Sequence, residues 1–203
     1  MRLEIADGWA DLDRPKTPAG LVALTHGAGG GVSTKDVLAV RDGLLAAGVA
    51  VALITQPFRV AGRRTPPAAG PQDSAWLELI RVLRRRRGLG SLPLFVGGRS
   101  NGARVACRTA DALDASGVVA LAYPLHPPGR PEKSRLDELE LPSCPVLVVQ
   151  GDRDPFGMPP PGPHRSIEVI TGADHNLRKD TAAVAELVVR FVTSTLRRAT
   201  VAT

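Results

Sequence analysis

The chain of 203 residues has two cysteines, only 3% aromatic residues and four lysines beside 22 arginines. Each shortage excludes something. Two thiols, Cys107 and Cys144, cannot build a disulfide framework; both read as small core or near-core residues in a reducing compartment. So few aromatic rings leave little to stack against single-stranded nucleic acid. No run approaches the roughly 18 apolar residues that span a bilayer. The opening stretch "MRLEIADGWADLDRP" is too acidic and too weakly apolar for a secretory signal, so a cytoplasmic protein is expected. Neither H-E-x-x-H nor a paired-cysteine spacing occurs, and no metal or cofactor is expected.

What is present fits a folded domain. Hydrophobic residues make up 43% and charged residues 23%, close to globular norms, and the length suits one domain over 1–203. The net charge of +6 raises the question of polyanions, because basic patches mark many nucleic-acid binders. Its densest run, "LRRRRG" from Leu83 to Gly88, has a simpler reading. Trp76, Leu79, Ile80 and Leu83 share one helical face, and the arginines follow at its carboxyl end before a glycine stop. Cations there complement the helix macrodipole. Nucleic acid is therefore not the expected partner.

Strand-like and helix-like segments alternate. "AGLVALTHG" reads as a buried strand ending in a glycine-rich turn. "STKDVLAVRDGLLAAG" follows as a helix with Ser33 and Asp36 spaced for a capping box, a Val37, Val40 and Leu44 stripe, and Gly48 as stop. "VAVALI" is a strand, Gln56 to Pro71 a loop, and the Trp76 helix comes next. "LPLFVG" is a strand, "NGARVACRTADAL" a helix, "GVVALAYP" a strand and "SRLDELE" a short helix. "PVLVVQG" and "RSIEVI" are strands, and the last helix carries Val184, Leu187, Val188 and Phe191 on one face. Nearly all-apolar strands alternating with amphipathic helices predict an α/β fold, a mostly parallel sheet covered on both faces. In such sheets ligands bind beyond the carboxyl ends of the strands.

One short stretch at such an end carries chemistry. In "LFVGGRSNGAR" a serine stands between glycines, as G-x-S-x-G, after a buried strand and before a helix. The composition yields only about 0.1 copies by chance. The strand-to-helix setting is what the motif needs to expose its hydroxyl on a strained turn. A serine hydroxyl needs a base, and the base needs an orienting acid; on this strand order they follow as acid, then histidine. Downstream stand His126, His164 and His175. His175 in "GADHN", just after the last strand, is the preferred base. The loop after "PVLVVQG" offers Asp152 and Asp154. Asp152 suits a turn-shaping role and Asp154, held extended by Pro155, is preferred as the acid. The oxyanion of acyl transfer needs amide donors. Asn101, after the serine, and Ala28, in the turn "THGAGGG", are the candidates. That turn has neither the Walker nor the G-x-G-x-x-G spacing of a phosphate loop.

Together "THGAGG", "GGRSNGAR", "AYPLHPPGRPEK", "GDRDPFG" and "GADHNL", in this order from about Leu21 to Phe191, resemble the small alpha/beta-hydrolase-like proteins of the KANL/Tex type. These are distant relatives of dienelactone hydrolases. The resemblance implies an alpha/beta-hydrolase fold without a lid domain, with Ser100 as nucleophile, His175 as base and an aspartate of the "GDRD" loop as acid. The expected activity is a serine hydrolase acting on a small-molecule acyl substrate, an ester, thioester or related bond. Some proteins of this type look like interaction subunits, so a non-catalytic binding module is the alternative. Two further residues are expected at the substrate: Arg59, in the loop from Gln56 to Pro71, and Tyr123, at the root of the proline-stiffened loop from Tyr123 to Arg135. Its prolines make that loop a fixed wall rather than a moving lid.

Overall fold

The apolar segments become neighbours in one twisted sheet. The computed structural model describes residues 1–201. In chain order it contains β1 (Arg2–Ile5), β2 (Gly8–Asp13), β3 (Leu21–Thr25), α1 (Lys35–Ala46), β4 (Ala50–Thr55), α2 (Pro57–Val60) and α3 (Ala69–Arg84). There follow β5 (Leu94–Arg99), α4 (Asn101–Thr109), β6 (Gly117–Leu121), α5 (Leu136–Leu139), β7 (Val146–Gly151), β8 (Arg165–Ile170) and α6 (Thr181–Val201). The strand order is β1-β2-β4-β3-β5-β6-β7-β8. The strands from β4 to β8 along this order run parallel, while β2 pairs antiparallel with β4 and with β1.

Alternation along each parallel strand feeds two cores, because successive side chains point to opposite faces. Leu21, Ala23, Leu94 and Val96 meet Trp76, Leu79, Ile80 and Leu83 of α3 and the small residues of α4. Val22, Leu24 and Phe95 face the other way, onto Val37, Val40 and Leu44 of α1 and Val184, Val188 and Val192 of α6. The Phe95 and Phe191 rings meet edge to face with centroids 6.2 Å apart. On the outer side of α4, Arg104 and Arg108 grip Glu138 of α5, and Arg108 also grips Asp73 of α3. Burial works against the Glu138 carboxylate, but these guanidiniums hold its pKa below the usual value.

One hairpin lies in a stretch given no element from the sequence, and several local expectations need correction. The N-terminal stretch forms a β-hairpin, with Ala6 and Asp7 in left-handed conformations at its turn and a buried face alternating along β2. The alternation in "GWADLD" was its signal, while the D-G pair misplaces the turn by one residue, since Ala6 and Asp7 form it and Gly8 of β2 already pairs with Ile5. The segment from Gln56 to Pro71 is not all loop: it holds α2, with Pro57 in its first turn, and the start of α3, where Pro71 is tolerated because first-turn amides need no partner. The α3 helix closes at Arg84, so Arg86 and Arg87 lie beyond it, exposed before Gly88 at φ +79°. The capping box at Ser33 and Asp36 does not form. Thr34 occupies the cap with no side-chain bond, and Asp36 is 1% exposed beside Arg99. Among the described residues no helix is long and apolar enough to cross a membrane.

Candidate active site

The parallel strands end together, and the loops beyond their carboxyl ends form the site. Between β5 and α4, Ser100 sits at φ 53°, ψ −115°. A non-glycine residue there costs about 1–3 kcal/mol and persists only when its surroundings impose it. Those surroundings are tight backbone. The Ser100 amide donates to the Leu121 carbonyl at 2.9 Å. A Cβ at Gly98 would lie 2.5 Å from the Thr25 carbonyl oxygen, and one at Gly102 would lie 2.8 Å from the oxygens of Thr25 and His26. The two glycines of the motif are thus demanded by β3 running alongside the turn. The turn after β3 also comes close: a Cβ at Gly27 would stand 3.3 Å from that of Ser100.

The structure brings Ser100, His175 and Asp154 together from three loops. Ser100 Oγ lies 2.9 Å from His175 Nε2, and His175 Nδ1 lies 2.8 Å from Asp154 Oδ2. A carboxylate only accepts, so Nδ1 carries the imidazole proton and Nε2 is free to accept from the serine hydroxyl. Asp154 is 1% exposed at its side chain and His175 17%. The buried carboxylate has other donors too: Gln150 Nε2 at 2.9 Å on Oδ2 and the Phe156 amide at 2.9 Å on Oδ1. The same Gln150 amide nitrogen reaches the carbonyls of Tyr123 and Gly157. The Phe156 ring lies over the imidazole, centroids 4.2 Å apart and planes 30° from parallel. An imidazole so held can take the serine proton as the oxygen attacks an electrophilic carbon.

The other candidates fall elsewhere. Asp152 is exposed and accepts the Gly172 amide at 2.6 Å, shaping the turn. His126 pairs with the carbonyl of its neighbour Pro127. His164 lies where its carbonyl accepts the Val146 amide, at the opposite, amino end of β7. Asn101 opens α4, so its amide has no intrahelical acceptor. Ala28 follows Gly27 beside Ser100. Here His26 has a part its sequence position did not reveal. Its Nε2 accepts the Gln56 amide at 3.1 Å, so Nδ1 bears the proton and donates to the Gly27 carbonyl at 2.9 Å. That carbonyl and the Ala28 N–H belong to one trans peptide unit, so His26 also fixes the direction of the Ala28 N–H. Burial lowers the His26 pKa, which the Gly27 carbonyl partly opposes and Arg59 reinforces.

Tyr123 corrects one expectation: it is fully buried, with its hydroxyl donating to the Arg135 carbonyl at 2.8 Å. A side chain with no exposed surface cannot line a substrate site, and burial also raises its pKa. Its place is at the foot of the wall. The wall itself is tied down by the His126 amide to the Phe156 carbonyl, the Arg135 amide to the Leu125 carbonyl, and Arg135 Nη1 to the Pro124 carbonyl. Arg59 is half-buried on α2, its Nη1 3.4 Å from the Arg63 carbonyl, while Arg63 and Arg64 are exposed. Cys107 is buried, and burial pushes the Cys144 thiol up to about 11. Among the described residues, no cluster of three or more His, Cys, Asp or Glu is placed to hold a metal.

Fold and site together define a class. The alpha/beta hydrolase domain family matches residues 18–188, and the chain belongs to it. By sequence, no curated protein matches the chain. Similar solved structures include Est1E from Butyrivibrio proteoclasticus, with a TM-score of 0.74 and 18% identity, 94% of this chain and 95% of that one being covered. XC6422 from Xanthomonas campestris, described as an alpha/beta serine hydrolase without a lid, has a TM-score of 0.73 and 18% identity over 98% and 93%. Dienelactone hydrolase from Anabaena variabilis has a TM-score of 0.74 and 19% identity over 92% and 91%. The molecule has the alpha/beta-hydrolase fold, and its sheet runs directly into the loops that carry Ser100, Asp154 and His175.

Proposed function

We propose that this chain is a cytoplasmic serine hydrolase of the KANL/Tex-like branch, cleaving an ester, thioester or related acyl bond in a small substrate. The observation that carries the reading is the unbroken relay from Ser100 Oγ through His175 to the buried Asp154, starting from a serine in a disfavoured backbone conformation. Ser100 Oγ attacks the acyl carbon while its proton passes to His175 Nε2. The N–H groups of Ala28 and Asn101 hold the oxyanion. The imidazolium, stabilised by Asp154, gives that proton to the leaving oxygen or sulfur. Water then attacks the acyl-enzyme, losing its proton to His175, and the acid departs as Ser100 recovers a proton. No step calls for a metal or cofactor.

A fluorophosphonate probe tests this directly. Wild type should be modified at Ser100, and Ser100→Ala should fold and take up no label. A folded wild type that remains unlabelled would refute the hydrolase and leave a binding module.

A further inference from the structure

We infer that Arg99, the residue directly before the nucleophile, is a positioning residue that staples the base-bearing loop to the nucleophile turn. Its purpose rests on the hydrolase reading; its geometry does not. Arg99 Nη2 donates to the His175 carbonyl at 2.6 Å and to Asn176 Oδ1 at 3.1 Å. Along the same edge of the guanidinium, Nε lies 3.2 Å from Asp36 Oδ2 at the start of α1. The two side chains are 12% and 1% exposed, so the pair is largely shielded from water. Nη1 also borders the oxyanion turn, 3.9 Å from where a Gly27 Cβ would stand. One residue therefore bonds the base loop, lies near the flank of the turn after β3, and is covalently joined to Ser100.

The base loop needs such a hold. Between β8 and α6 it has no regular structure: Gly172 and Leu177 adopt left-handed conformations, and its internal bonds are short-range, such as the Leu177 amide to the Asp174 carbonyl. The start of the loop is tied to the β7 loop by the Arg153 amide on the Ala173 carbonyl and the Gly172 amide on Asp152, and Arg99, 76 positions away, holds the backbone of His175 itself. The buried Asp36 holds the guanidinium by charge alone, since neither Arg99 Nε nor Asp36 Oδ2 has a hydrogen-bond partner. Nη2 of the rigid planar fork donates to both the His175 carbonyl and Asn176 Oδ1, which a lysine ammonium on a flexible stem cannot reproduce. Displacing a catalytic group by about 1 Å can cost on the order of 10²-fold in rate.

Two variants test the staple. Arg99→Lys keeps a cation for Asp36; Arg99→Met with Asp36→Leu removes the pair without leaving a buried charge, which would itself destabilise the fold. Either suffices if the other does not fold. The rate of fluorophosphonate labelling should fall about 10²-fold, kcat on a neutral ester should fall with it, and KM should stay near wild type. Amide hydrogen exchange over residues 174–177 should quicken. Labelling at the wild-type rate, a change confined to KM, or unaltered exchange each overturns the proposal while the hydrolase stands. A wild type that takes no label instead fails the hydrolase reading, and Arg99's catalytic purpose with it.

Discussion

Replacing Asp154 by Asn changes one atom type at a crowded carboxylate, and the hydrogen bonds around it set the outcome. Oδ2 receives His175 Nδ1 and Gln150 Nε2, and Oδ1 receives the Phe156 amide. An asparagine has one oxygen for these two sides. With its oxygen toward Phe156, its NH₂ confronts the Gln150 amide and donates to Nδ1, which places the imidazole proton on Nε2 and leaves nothing to accept from Ser100. With its oxygen toward His175, its NH₂ confronts the Phe156 amide, leaving a buried donor unpaired at a cost of about 1–3 kcal/mol. The first arrangement is the wrong tautomer, which in the well-studied triad lowers kcat about 10⁴-fold, roughly 5.5 kcal/mol of barrier. At about 2–4 °C per kcal/mol for a chain of this size, a cost of about 1–3 kcal/mol lowers the melting temperature by about 2–12 °C and leaves the chain folded at assay temperature. Steady-state hydrolysis of a generic ester and a thermal melt measure both. Asp152→Asn is the control: its carbonyl can still accept the Gly172 amide, so activity should persist and stability move by less than about 0.5 kcal/mol. An active Asp154→Asn beside an inactive Asp152→Asn would refute the assignment.

Ser100→Gly should melt about 2–4 °C above Ser100→Ala, roughly 1 kcal/mol, because only glycine relaxes at φ 53°; equal melting temperatures would mean that the turn stores no strain. For His26, the folded pKa lies below the 6.5 of the unfolded chain, so its stabilisation is present above about pH 6.5 and lost as the pH falls toward the folded value. His26→Gln, which can still donate to Gly27 and accept from Gln56, should flatten the decline in melting temperature as the pH falls below about 6.5; an unchanged slope removes His26 as its source. Replacing Arg59, Arg63 and Arg64 together by Gln should lower kcat/KM for a carboxylate-bearing ester relative to its neutral twin, and a constant ratio would make these arginines a solvated surface.

Residues that reveal themselves through local pattern were readable in the chain. The apolar runs at Leu21, Leu94 and Val146 are strands because a parallel strand is buried on both faces and has few polar positions to spare. The glycines around Ser100 stand out because the backbone turns and β3 comes close. Other positions had a misleading or silent pattern. Asp36 follows a serine at capping-box spacing, yet its partner is Arg99, brought to it only when β5 lies beside β3 and α1 folds over the sheet. Gln150 is a polar residue near the end of the apolar β7, but its hold on Asp154 and on the wall depends on where the β6 and β7 loops meet. Tyr123 looked like a site residue because it follows a strand, and it lies in the core instead, after the left-handed Ala122 breaks the extended run and with its hydroxyl on the Arg135 carbonyl. The sequence by itself determined the parallel strands from β3 to β8 (though not the hairpin of β1 and β2), the serine that stands on a strand-to-helix turn, and the histidine and two aspartates that follow it. Only the tertiary structure decided between Asp152 and Asp154 as the partner of His175 and where the buried charges meet, because those contacts join loops 21 to 76 residues apart and exist only once the sheet has aligned their ends.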